Sequence, residues 1–233
     1  PGVWTKWGVS PWILAPKDSV FTFLENVLTE VMDLFPSKYL HIGGDEAAKN
    51  QWEASPFAAE VMRREHRKDA HELQAYFIGR VEKLLTARGK KLIGWDEIQE
   101  GGLSKTATMM VWRDWKWAQL AAELGNTMVM APSSHTYINF SQGVTPDDPR
   151  FDCWGGLLTL EQVYSFEPIP RRLRRRSRSS CSDVRRNCGL SIYITAPSSS
   201  IWPSRGSVLS PRWRGPAKRR VRGRNLKAGS MSI

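Results

Sequence analysis

Residues 91–131, KLIGWDEIQEGGLSKTATMMVWRDWKWAQLAAELGNTMVMA, decide the fold. Three short apolar runs, at 91–95, 108–112 and 127–131, have the length and composition of strands. Between the last two, residues 115–124 keep helical spacing and Gly125 closes them. Working backwards, a helix from about Asp69 to Arg88 sets Leu73, Phe77, Val81, Leu84 and Leu85 on one stripe, with Gly89 at its end. Ser55-Pro56 is an N-cap followed by proline at the first helical position, opening a helix to about His66. Residues 40–42 read as a short buried strand running into Gly43-Gly44-Asp45-Glu46, with a helix from Ala47 to Trp52 beyond. Further back, Pro36 ends a helix capped by Asp18 or Ser19, in which Val20, Phe23, Leu24, Val27, Leu28, Val31 and Leu34 keep helical spacing. Residues 1–16, with Trp4, Trp7 and Trp12, read as a loop.

Strands alternating with helices predict an α/β chain with a parallel sheet covered by helices. Each strand also ends in residues suited to a site: Asp45 and Glu46, then Trp95, then Trp112, then Ser133 to Tyr137. Such groups at the carboxyl ends of successive parallel strands fit a (β/α)8 barrel. An open doubly wound sheet shares that feature but gathers phosphate-binding glycines after its first strand, and none appear. About four strands are visible, half a barrel.

Composition divides the chain in two. From Arg171 onward 17 Lys plus Arg face one acid, Asp183, whereas residues 1–170 hold 17 against 22, so the net +11 arises wholly in the last part. A hydrophobic fraction of 41% and eleven Trp can supply a core and pocket walls. Three cysteines form no disulfide framework and show no C-x-x-C metal spacing. No apolar run reaches the ~18 residues a membrane helix needs. The start, Pro1-Gly2-Val3-Trp4, has neither an initiating Met nor a signal peptide, and is expected to lie inside a larger protein.

The chemistry is expected at Asp45 and Glu46. Gly43 and Gly44 let the backbone turn sharply and bring a ligand close. Successive strand side chains face opposite ways, so the two carboxylates share a pocket only where the strand ends. An acidic turn opening a helix is the alternative for a bare GGDE.

The wider pattern separates these. His41–Glu46 as HIGGDE, residues 92–97 as LIGWDE, Val111-Trp112-Arg113 and Ser134-His135-Thr136-Tyr137 resemble, in order and spacing, the family 20 glycoside hydrolases, the β-N-acetylhexosaminidases. The resemblance runs from about Val3 to Pro170 and includes connecting text such as FPSKYLHIGGDEA and APSSHTY. It implies a partial (β/α)8 TIM barrel, about strands four to seven, acting on terminal β-linked N-acetylglucosamine or N-acetylgalactosamine with retained configuration. The family lets the substrate's own acetamide act as nucleophile. Glu46 would be the general acid and then the base, and Asp45 would orient the 2-acetamido group. Trp95 and Trp112 would wall the acetamide pocket, and Tyr137 would donate to the acetamide oxygen. Asn139 stands where many relatives carry Asp, at the sugar's outer hydroxyls. His41 is expected as a buried structural imidazole, and Asp96 and Glu97 as scaffold. No metal, cofactor or membrane is implied. The partner is a small carbohydrate.

After Ile169-Pro170 the family pattern stops, and RRLRRRSRSS follows. Dense positive charge can bind phosphate, but a shifted reading frame also yields Arg, Ser, Pro and Gly. Joining each codon's third base to the next codon's first two lets residues 186–193 encode QLWTEY followed by Ile or Leu, and residues 199–215 encode EYMAFPRLSALAEVAW. Both strings resemble the family's last barrel strand and following helix. Residues 171–233 are therefore expected to be an irregular, non-native frameshift product, and nucleic-acid binding is not expected. Half a barrel leaves its pocket incomplete, so the chain as written is expected to be inactive. A carbohydrate-binding remnant, or a nucleic-acid-binding protein acting through the tail, are the alternatives.

Overall fold

The computed structural model describes residues 5–6, 8–145, 147 and 156–168, and the backbone of Cys188–Leu190. The chain divides into two units, Pro1–Ala196 and Pro197–Ile233, and every described residue lies in the first. The expected loop tryptophans Trp4 and Trp7 lie outside the described residues, as does the tail apart from 188–190.

In chain order the elements are α1 (Asp18–Leu34), β1 (Tyr39–His41), α2 (Asn50–Glu53), α3 (Pro56–Arg64), α4 (Ala70–Ala87), β2 (Lys91–Trp95), a 3-10 turn (Asp96–Gln99), β3 (Thr108–Val111), α5 (Trp115–Leu124), β4 (Thr127–Met130), α6 (Ser133–Thr136), α7 (Leu160–Tyr164) and β5 (Cys188–Leu190). The sheet order is β1-β2-β3-β4-β5, every neighbouring pair parallel. A sheet whose spatial order equals its chain order is the arrangement of a barrel segment, and the chain is α/β with a partial (β/α)8 architecture.

Strand alternation sorts the core into two layers. Leu92, Met109, Val111, Met128 and Met130 face the helices, meeting Ile78, Val81 and Leu85 of α4 and Ala118 and Ala121 of α5. Ile93, Met110 and Ala131, with Trp95 and Val129 against them, form the opposite face. In a barrel that second face is the interior. All four residues of β3 are buried, as expected of a parallel strand covered on both sides.

Several helix ends follow the expected local chemistry. Ser55 Oγ accepts from Ala58 N at 3.3 Å, Asp69 Oδ1 accepts from Glu72 N at 2.9 Å, and Gly125 closes α5. Others differ. Lys17, not Asp18 or Ser19, precedes α1, and Asp18 instead pairs with Arg80 at 3.2 Å. The buried residues of α1 are Phe21 and Met32, while Phe23, Val27 and Leu34 are exposed. Packing against α4 rotates the contact face onto Phe21, Leu24, Leu28 and Met32. The helix after the carboxylates begins at Asn50, not Ala47. Strand β1 is not the buried strand expected: Tyr39 and His41 are exposed, because β1 pairs only with β2 among the described residues. A fifth strand, β5, lies within the tail expected to be irregular. Its pairing with β4 satisfies backbone groups that an edge would leave open.

Candidate active site

The turn after β1 is built around close backbone approach. Ile42 N donates to Ile93 O and Trp95 N to Gly43 O, both at 2.9 Å, so the end of β2 is sewn to the glycine pair. Gly44 has φ +93°, and a Cβ there would stand 2.5 Å from Ile98 Cγ2; a Cβ at Gly94 would meet the same carbon at 2.7 Å. The fully buried Ile98 thus rests on two glycines, which no residue with a side chain could replace without displacing it. Glu46 itself takes φ +51°, a left-handed conformation rare for a residue of its kind. Strain of this sort collects at functional sites.

Asp45 is half-buried and Glu46 exposed. His41 is not the buried imidazole expected. It lies exposed on β1, with Nδ1 accepting from Gly43 N at 3.0 Å and its ring 5.1 Å from that of Trp95. Partial desolvation of the ring lowers its pKa, and the nearby Asp45 carboxylate partly opposes the shift.

From His41 an aromatic row follows successive strand ends. Trp95 and Trp112 meet edge to face with ring centres 6.4 Å apart, and Trp112 stacks on Tyr137 at 6.4 Å and 24°. Tyr137 follows the single turn α6, which Ser133 N ties to Trp112 O at 2.8 Å. Asn139, two residues on, keeps a buried Oδ1 without a hydrogen-bond partner among the described residues. The structure therefore brings Trp95, Trp112 and Tyr137 into one wall.

Beside this wall lies a charged layer that includes Asp96 and Glu97, both expected as scaffold. The wholly buried Asp96 accepts from Trp112 N at 3.0 Å and Arg113 N at 3.1 Å, and pairs with Arg113 Nε. Arg113 also reaches Glu100 at 3.1 Å. Glu97 receives the Trp112 indole N–H at 3.0 Å, and burial raises its pKa to about 7, with Asp96 adding and Trp112 and Arg113 opposing. A cavity of about 250 Å3 is lined by Glu46, Ala47, Ala48, Lys49, Glu97, Glu100 and Arg113. Glu46 thus shares a cavity with Glu97, while none of Asp45, Trp95, Trp112, Tyr137 and Asn139 lines it. The motif LIGWDE contains Glu97, but its approach to Trp112 depends on the 3-10 turn, which no local spacing announces. Among the described residues no group of three or more His, Cys, Asp or Glu is placed to hold a metal ion, and no helix is long and apolar enough to cross a membrane.

Glu46 and Glu97 in one cavity, with the Trp95, Trp112 and Tyr137 wall beside it, place carboxylates and aromatic faces close together. Comparison with known proteins shows the family. The family model for the glycosyl hydrolase family 20 catalytic domain matches residues 2–190. A β-hexosaminidase of Porphyromonas gingivalis is 46% identical over 169 residues, 72% of this chain and 22% of that protein. One from Vibrio furnissii is 36% identical over 67% of this chain and 26% of its own length. Among solved structures, the exo β-N-acetylglucosaminidase of Vibrio harveyi in complex with N-acetylglucosamine superposes with a TM-score of 0.62 at 30% identity, covering 73% of this chain and 27% of that one. The β-N-acetylhexosaminidase of Bacteroides fragilis gives 0.56 at 30% identity, over 67% and 33%. The chain spans about a quarter of the length of the two curated relatives it is compared with.

Proposed function

The chain belongs to glycosyl hydrolase family 20, and on that premise we propose that it carries the acid/base half of a β-N-acetylhexosaminidase site. The substrate is a terminal β-linked N-acetylhexosaminide. Its acetamide oxygen attacks the anomeric carbon as the glycosidic bond breaks, and Glu46 gives its proton to the leaving oxygen. Water, deprotonated by Glu46, then attacks the same carbon and the acetamide is restored, so two inversions leave the configuration retained. Asp45 orients the acetamide and faces the positive charge it develops. Trp95 and Trp112 wall it, the Tyr137 hydroxyl donates to its oxygen, and Asn139 serves the outer hydroxyls.

What supports this reading best is the aromatic row Trp95, Trp112, Tyr137, which starts beside the turn that carries Asp45 and Glu46. The described residues supply five strands, against the eight of a closed barrel, and we expect no turnover from the isolated chain. The test is hydrolysis of a chromogenic N-acetylglucosaminide by the product of the full-length gene. Glu46→Gln is expected to lower kcat by about 10² to 10⁴ with KM little changed; near-normal turnover removes Glu46 from the role. A second reading, sugar binding without turnover, draws on the place of Glu46 in a cavity that the aromatic row does not line. Binding of N-acetylglucosamine by an intact barrel that hydrolyses nothing would favour it. The basic segment after about Pro170 is proposed as an out-of-frame product, and an uninterrupted frame across the Pro170 codon refutes that.

A further inference from the structure

We propose that Glu97 is a positioning residue, holding the Trp112 indole at the angle in which the ring faces the sugar site. The inference rests on the reading of Trp112 as a sugar wall. Trp112 is gripped twice by one 3-10 turn. Its main-chain N–H donates to Asp96 Oδ2 at 3.0 Å, and its indole N–H donates to Glu97 Oε2 at 3.0 Å with Oε1 at 3.3 Å. An indole has one donor, and when buried it needs a partner. With the backbone held at one point and the ring edge at another, the ring can swing only by breaking the second bond.

Glu97 is itself held. Its side chain is only 10% exposed, Gln74 Nε2 from α4 donates to its main-chain oxygen at 2.9 Å, and Arg113 Nε stands 3.6 Å from Oε1. Arg113 cannot drift, since Asp96 and Glu100 bind it and its guanidinium lies 4.5 Å from the centre of the Trp117 ring. Among the described residues the charged groups facing Glu97 are Asp96 on its own turn, Glu100 just after it, Arg113 after β3, and Lys49 before α2, with Glu46 across the shared cavity. Protonation near pH 7 weakens a carboxylate as an acceptor, so the indole reports the charge on Glu97 directly.

The test is a pH series of indole 15N–1H spectra on the 233-residue chain, with Trp112→Phe identifying the Trp112 signal among eleven tryptophans. The Trp112 signal is expected to move with a midpoint of about pH 7. In Glu97→Gln, which keeps an acceptor without a titrating proton, it should stay dispersed and lose that dependence. In Glu97→Leu it should move to the position of a water-exposed indole while the other indole signals hold, which shows the fold is kept. A Trp112 signal unmoved in Glu97→Leu overturns the proposal. Titration of the full-gene product with N-acetylglucosamine separates the two readings. Glu97→Leu should weaken binding about tenfold and Glu97→Gln less than twofold, by analogy with loss and retention of one charge-assisted hydrogen bond. Equal affinity of wild type and Glu97→Leu overturns the positioning role. No binding by the wild type refutes the carbohydrate reading, and with it the role assigned to the ring.

Discussion

Replacing Gly44 by alanine adds one methyl group where the turn after β1 has no room for it. Two effects add. The residue sits at φ +93°, where a side chain costs roughly 1–2 kcal/mol. The new Cβ also lands 2.5 Å from Ile98 Cγ2, and overpacking of a filled core costs roughly 1–3 kcal/mol. Ile98 cannot retreat, because Gly94 abuts the same methyl from β2 and the residue has no solvent-exposed side. The expected loss is about 2–5 kcal/mol, the sum of these two ranges, read as a lowered urea midpoint at unchanged slope. Ile98→Ala alone should cost about 2–5 kcal/mol through the void it leaves. Combined with Gly44→Ala, the clash disappears and the added methyl fills part of that void, while the φ strain persists. The double variant should therefore be more stable than additivity predicts by about 1–3 kcal/mol, the overpacking term. A Gly44→Ala protein within about 0.5 kcal/mol of wild type, or additivity to within about 0.5 kcal/mol, would refute the account of why this turn needs its glycines.

His41 accepts a hydrogen bond through Nδ1 and has a lowered pKa, so the folded chain favours its neutral form. Its contribution should be complete above the ordinary value of 6.5 and lost as pH falls through the folded pKa; urea midpoints of wild type and His41→Ala should converge on acidification, and parallel curves would contradict this. Ser55→Ala removes the side chain that caps α3 and should cost about 1 kcal/mol, measured by the same unfolding experiment, with Ser55→Asp restoring most of it.

Much of this fold can be read locally. The Ser55-Pro56 start, the Asp69 cap and the Gly125 end depend on residues within one helical turn, and β2 and α5 occupy the spans their composition announces. What local pattern could not supply is which side of an element meets a neighbour. Helical spacing in α1 places Phe23, Val27 and Leu34 among its apolar positions, yet the contact with α4 falls on Phe21 and Met32. The same holds at the site, where LIGWDE marks Trp95, Asp96 and Glu97 as a unit without showing that the two acids turn inward.

By itself the sequence determined the residue types of the candidate site and the order of its strands, because a strand end in a parallel sheet puts whatever follows it on one rim. Only the tertiary structure decided that Trp112 and Glu97, fifteen residues apart in the chain, meet through one indole N–H. It likewise decided that Glu46 looks into the cavity of Glu97, Glu100 and Arg113. Those pairings depend on how β2 and β3 lie in register, with Trp95 opposite Met110. A register is a property of two strands together, and no single stretch of chain contains it.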